Sequence, residues 1–133
     1  MRPKNVVSTK VALYSHDLAS VLVMHYPIRN IHGLPGGHVE PQEHPDAAVR
    51  RELLEELTLS VDNLQRKDFF LRGGDKGPII LGYTAIAPEE VSIVPTEPSF
   101  EYAQWVPKEE LGNIVMTPEY HRFIIENWPN QQA

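Results

Sequence analysis

Glu52, Glu55 and Glu56 stand one, three and four positions apart in a run that also carries Arg51. On a helix turning by about 100° per residue, the three carboxylates share a face with Ala48, and Arg51 flanks Glu55. Like charges so placed repel by roughly 0.2–0.5 kcal/mol per pair, so a helix chosen for stability alone would alternate its signs here. A hard divalent cation resolves the conflict, because Mg²⁺ prefers carboxylate oxygens, and the small Ala48 would leave room for its approach. Taken alone, an acidic patch is most simply a solvated face. The residues just upstream argue for more. Gly36-Gly37 can bring backbone close to a metal or a ligand, and His38 follows within reach of a substrate. Glu43 can act as a carboxylate ahead of the helix, or pair with Arg51 and orient it.

The elements that must position these groups follow from pattern. Pro45 suits the first position of a helix running to about residue 57, and Asp46 favours its positive start. Its apolar arc is expected to be Ala47, Val49, Leu53, Leu54 and Leu57, with Arg50 inside the arc and snorkelling outward. Residues 6–14 and 21–26 read as strands, and 31–38, rich in Gly and Pro, as a loop. Residues 61–71 and 78–87 read as two further strands joined by a hairpin loop at 72–77, and 100–106 as another. A short turn or helix at 107–111 leads to a closing helix at 117–128, with Thr117 as N-cap, Pro118 at its first position and Pro129 stopping it. Tyr120, Phe123, Ile124 and Trp128 recur at helical spacing and are its packing face. Phe69, Phe70 and Tyr83 default to core, although one of them could stack on a base. Strands on both sides of one helix, then a terminal helix, give a mixed α/β domain.

Composition narrows the function. The 133 residues suit a single domain, 1–133, and 41% hydrophobic with 23% charged residues is ordinary globular usage rather than disorder. A formal charge of −6 argues against a duplex nucleic acid partner, whose binding is driven by Lys and Arg. It leaves room for a small anion if a metal supplies positive charge. The absence of cysteine excludes thiol nucleophiles and zinc–thiolate sites and fits a reducing compartment. No apolar run approaches the roughly 20 residues of a membrane helix, and no apolar signal region follows the first residues. The expectation is a cytoplasmic protein with no membrane partner. The six histidines form no His-Glu-x-x-His or Glu-x-x-His pattern.

The segment from Gly37 to Leu59 resembles the Nudix box, G-x5-E-x7-R-E-U-x-E-E-x-G-U with U aliphatic. Gly37, Glu43, Arg51, Glu52, Leu53, Glu55, Glu56 and Leu59 all fall in place. The single departure is Thr58, where the motif has the glycine that ends the helix; a β-branched residue pays to adopt positive φ there. The resemblance implies an α/β/α sandwich with a mixed β-sheet and the box as loop-helix-loop. It also implies a hydrolase cleaving a nucleoside diphosphate linked to another moiety, a nucleoside triphosphate or related nucleotide. Mg²⁺, or Mn²⁺, would be held by Glu52, Glu55, Glu56 and the Gly36 carbonyl. Glu52 would be the general base, with Arg51 and Glu43 holding it, and Gly37 and His38 would touch substrate. A further glutamate often comes from beyond the box; Glu101 is the first choice and Glu97 the second. Dimers are common in the family, so a homodimer stays open. The rival expectation is a Nudix-like regulatory domain that binds a nucleotide without cleaving it.

Overall fold

Along strand β1 (Val7–Tyr14), Val11 and Leu13 face one way, and Ala12 and Tyr14 the other. All four are fully buried, so β1 must be covered on both faces. That requirement sets the architecture seen in the computed structural model, which describes residues 6–27, 30–75, 77–89 and 102–130. The chain continues through β2 (Ser20–Tyr26), β3 (Ile31–Gly33), helix α1 (Pro45–Leu57), β4 (Gln65–Leu71), β5 (Ile79–Ile86) and β6 (Tyr102–Pro107). A 3₁₀ turn (Lys108–Asn113) then leads to helix α2 (Pro118–Glu126). The strands form one mixed sheet in the order β3-β2-β1-β5-β4, with β6 added on β2. The β1–β5 pair is parallel, in register from Val7 with Ile79 to Tyr14 with Ile86, and the other strand pairs are antiparallel.

Val11, Leu13, Leu22, Met24 and Tyr83 form one core with Val49, Leu53 and Leu57 of α1. Ala12, Tyr14, Val21, Val23 and Ile80 form the other with Tyr120, Phe123 and Ile124 of α2. The result is an α/β/α sandwich. The Tyr14 hydroxyl donates to the Ile124 carbonyl at 2.8 Å, and the Trp128 indole donates to the Leu18 carbonyl at 2.8 Å, fastening the C-terminal helix to the sheet.

One irregularity positions the site. β1 and β2 pair only at Tyr14 and Val21 and then part. β3 takes over the same edge of β2 further along, through Met24–Gly33, His25–His32 and Tyr26–Ile31. The gap beside β1 is filled by the chain after β3. Val11 N–H donates to Pro35 O at 2.9 Å, Thr9 N–H to Gly37 O at 2.7 Å, and Val39 N–H to Val7 O at 3.0 Å. Those bonds satisfy an edge that would otherwise be buried and unpaired. Residues 31–33 are therefore a strand rather than the loop that their Gly and Pro neighbours suggest, because β2 offers them a ladder. The second correction lies at 61–64, which precedes β4; Val61 is core, but pairing begins at Gln65. Thr117 starts α2 without a side-chain cap bond, whereas Pro118 stands at its first turn. Phe69 is exposed rather than core, while Phe70 packs on the rings of Tyr120 and Phe123.

Candidate active site

Helix α1 begins where His44 Nδ1 accepts from the Asp46 N–H at 3.1 Å, with Pro45 in the first turn. It ends at Thr58, whose φ of 53° and ψ of 44° lie in the left-handed region. Thr58 N–H bonds to Leu54 O at 3.0 Å and Leu59 N–H to Leu53 O at 3.3 Å, the closing pattern that a glycine usually supplies. The threonine thus reaches the motif's exit geometry.

The buried residues of α1 are Ala48, Val49, Leu53, Glu56 and Leu57. The inward face is rotated by roughly a quarter turn from the apolar arc read from the sequence. Leu54 and Ala47 lie outside in water, and Ala48 is buried instead of leaving space among the carboxylates. Arg50 does reach outward, its Nη1 on the Val61 carbonyl at 3.0 Å. The rotation has a polar cause. Glu56 is only 4% exposed, and its Oε1 accepts from the Gly36 N–H at 3.0 Å. Glu56 turns inward because the loop wedged beside β1 offers it a donor.

The two glycines make that fit possible. Gly36 has φ of 141°, and a Cβ there would lie 2.0 Å from the Thr9 carbonyl oxygen. At Gly37 a Cβ would lie 2.3 Å from Glu52 Oε2, so the Glu52 carboxylate occupies the space that a side chain would fill. His38 is exposed, and its carbonyl accepts from Arg51 Nη2 at 3.1 Å.

Arg51 is the hub. Its Nε and Nη2 bind the two Glu43 oxygens at 2.8 and 3.0 Å, a bidentate pair, while Nη1 reaches Glu52 at 3.1 Å and Glu55 at 3.2 Å. Glu43 also accepts from the Glu40 N–H at 3.0 Å. The Arg51 hydrogen bond, then the Glu40 N–H, holds the Glu43 carboxyl down to about 2. Burial costs the guanidinium little against the Glu43 bond and the neighbouring carboxylates, so Arg51 remains a cation. Gly36, Gly37, His38, Glu43, Arg51, Glu52, Glu55 and Glu56 are therefore brought into one site. Glu101 and Glu97 lie outside the described residues.

The donor set suits a hard cation: three carboxylates within one turn and a backbone loop packed on two of them. Their present arrangement serves Arg51 and Gly36, and among the described residues no three His, Asp or Glu side chains stand at metal-ligand spacing. A group missed by pattern reading is Lys10 of β1, whose Nζ donates to Leu34 O at 3.2 Å beside the loop. The signal in the sequence is that Lys10 is the single charged residue of β1.

A family model for the NUDIX domain matches residues 4–127. The chain belongs to the NUDIX family. Solved structures agree on the Nudix fold. A NUDIX-family hydrolase from Clostridium perfringens is 19% identical, with 93% of this chain and 96% of that one covered, and a TM-score of 0.77. The NUDIX domain of Shewanella oneidensis NrtR, solved with ADP ribose, is 18% identical over 94% of this chain and 87% of that one, at 0.79. The E. coli dihydroneopterin triphosphate pyrophosphohydrolase is 21% identical over 96% and 98%, at 0.73. No protein of curated function matches the sequence closely. By family the chain is a Nudix hydrolase, and divalent metal ions are the family's general cofactor. Among the described residues, no helix is long and apolar enough to cross a membrane.

Proposed function

We propose that this Nudix hydrolase is a Mg²⁺- or Mn²⁺-dependent pyrophosphohydrolase acting on a nucleoside diphosphate linked to another moiety. A nucleoside triphosphate or a nucleotide derivative fits best, in a single cytoplasmic domain. The observation that carries the reading is the interlock of Gly36 and Gly37 with the Glu56 and Glu52 carboxylates, in which backbone and carboxylate share space only a glycine leaves. Glu52, Glu55, Glu56 and the Gly36 carbonyl would hold the metal. Bound there, it would supply positive charge against the phosphates and make water a better nucleophile. Glu52 is the base in this reading, and Arg51, itself held by Glu43, orients it. His38, exposed beside the glycines, faces substrate. ADP ribose, bound in one neighbouring structure, and dihydroneopterin triphosphate, after which another neighbour is named, both contain a diphosphate, which supports the substrate class.

A second reading, nucleotide binding without turnover, has one observation in its favour: Arg51 Nη1 already engages Glu52 and Glu55, so a cation must compete for them. Hydrolysis of a panel of nucleoside triphosphates, nucleotide sugars, ADP-ribose and dinucleoside polyphosphates, with Mg²⁺ or Mn²⁺, separates the two. Turnover of one class is expected, and Glu56→Gln, which keeps shape but removes charge, should lower it at least a hundredfold. Turnover that survives this substitution would refute the metal-site assignment.

A further inference from the structure

A chain with net charge −6 and three carboxylates in its site must still hold a polyanion, and a metal is one source of positive charge. Arg51 cannot be another, since Glu43, Glu52 and Glu55 already surround it. Two cations lie on the far side of the loop. Lys10 sits on β1 directly under Gly36, whose Cβ, if it had one, would fall 2.9 Å from the Lys10 Cα. Its Nζ and the Tyr26 hydroxyl both point at the Leu34 carbonyl, at 3.2 and 3.5 Å, so the ammonium stands two residues along the loop from the Gly36 N–H that binds Glu56. Arg72, at the end of β4, donates to the Tyr120 hydroxyl of α2 at 3.2 Å. Burial disfavours the Lys10 charge most, Glu56 and Glu52 favour it and Arg72 opposes it, so Lys10 stands within electrostatic reach of all three. Among the described residues neither Lys10 nor Arg72 forms a salt bridge with a carboxylate; each donates to a neutral oxygen.

We infer that Lys10 and Arg72 form the anion-binding wall of the substrate cleft, opposite the carboxylates of α1, and that Lys10 binds a phosphate oxygen of the substrate's diphosphate. The inference rests on the pyrophosphohydrolase reading for the nature of the ligand. A half-buried ammonium that donates to a carbonyl gains more from an anionic oxygen than a solvated lysine does, because the interaction is less screened. The cationic wall and the acidic helix would then divide the ligand's charge: the part a metal neutralises towards α1, the remainder towards β1 and β4. Lys10 is a binding residue here, with no proton transfer assigned to it.

The test is the affinity of the whole protein for α,β-methylene-ADP with Mg²⁺ present, by titration calorimetry at several NaCl concentrations. This probe is a nucleoside diphosphate that cannot be cleaved between its phosphates. Lys10→Met should weaken binding roughly tenfold to a hundredfold, as expected for a charge-assisted bond, and flatten its salt dependence. Lys10→Arg should keep the salt dependence. Arg72→Met, at a site less embedded in the sheet, should weaken binding and flatten the salt dependence likewise, and it keeps the wall testable if Lys10→Met does not fold. A lysine that merely ties Leu34 to β1 would lower the melting temperature and leave the salt slope of the folded variant unchanged. That result, or wild-type affinity in both Met variants, or no binding of the probe by the wild type, would overturn the inference. Loss of turnover in Glu56→Gln alongside any of these would leave the hydrolase reading intact. Conversely, salt-dependent, Lys10-dependent binding in a protein that hydrolyses nothing in the panel would sustain the wall and remove the hydrolase.

Discussion

Replacing Thr58 by glycine should stabilise the protein. Thr58 ends α1 at φ 53° and ψ 44°, where an L-residue crowds its Cβ against the carbonyl at a cost of roughly 1–2 kcal/mol. Its side chain is exposed and the cap bonds come from backbone, so nothing in the contacts offsets that strain. Glycine removes the strain but loses more conformational freedom on folding, by roughly 0.5–1 kcal/mol. The difference favours Thr58→Gly by about 1 kcal/mol, which for a chain of this size raises Tm by about 3–5 °C. Asparagine, which tolerates the left-handed region, should fall between the two. Urea unfolding at fixed pH reads this directly, and the expected signature is a higher midpoint with an unchanged m-value. Turnover should stay near wild type, because the threonine already delivers the helix exit that the motif's glycine provides. An equal or lower midpoint for Thr58→Gly, or an order that places asparagine below threonine, would refute the strain argument.

Three other outcomes follow from the site. Gly37→Ala should cut turnover at least tenfold while leaving the fold in place, because its Cβ would fall 2.3 Å from Glu52 Oε2 and must push that carboxylate aside; wild-type kinetics would show that Glu52 has slack. For Glu43→Gln the prediction concerns pH. Glu43 in the folded protein titrates near 2, below its usual 4.5, so its stabilisation is fully present above about 4.5 and disappears as pH falls through about 2. The Tm gap between wild type and Glu43→Gln should therefore be widest near neutrality and close across that acid window; a gap independent of pH would refute the ion-pair account. Finally, Mg²⁺ or Mn²⁺ should raise Tm with the logarithm of its concentration above the dissociation constant, by a free energy of roughly 2.7 kcal/mol at a hundred times that constant. Glu56→Gln should abolish most of that rise, and an equal rise in the variant would place the ion elsewhere.

Pattern reading located the elements well where local chemistry dominates. The helix at 45–57 is marked by Pro45 and Asp46 at one end and by its apolar spacing, and the structure places α1 at the same residues. The β4–β5 hairpin and the closing helix are marked by Gly73-Gly74 and by Pro118 in the same way. What the sequence hid were facts of tertiary partnership. Residues 31–33 carry a loop's composition, but β2 offers an edge that β1 has left vacant, and a ladder bond outweighs the weak preference of a glycine for disorder. Likewise the sequence ranks Leu54 as core and Glu56 as surface. Burying Val49, Leu53 and Leu57 is worth roughly 1.5–3 kcal/mol each for the larger chains, and either orientation of the helix achieves it. The Gly36 N–H decides between the two, by making the burial of Glu56 affordable, and no helical periodicity could contain that donor.

The same reasoning explains why the box has the form G, E, R, E, E, E rather than acidic residues alone. Glu43 sits at the edge of the site and takes two of the arginine's nitrogens, so Arg51 is held at a fixed place with one nitrogen left facing the helix. That nitrogen, Nη1, then shares its charge between Glu52 and Glu55 without closing on either in a bidentate pair. Two carboxylates are thereby drawn together, at a separation their mutual repulsion would otherwise oppose, and neither is locked to the arginine by a pair of bonds. Glu56, by contrast, is fixed by the Gly36 N–H in a buried position where reorientation would leave a polar group without that donor. In the proposed metal site an incoming cation would therefore meet one carboxylate held by backbone and two that share the arginine. It would displace a shared arginine contact rather than a bidentate salt bridge such as the one Glu43 makes.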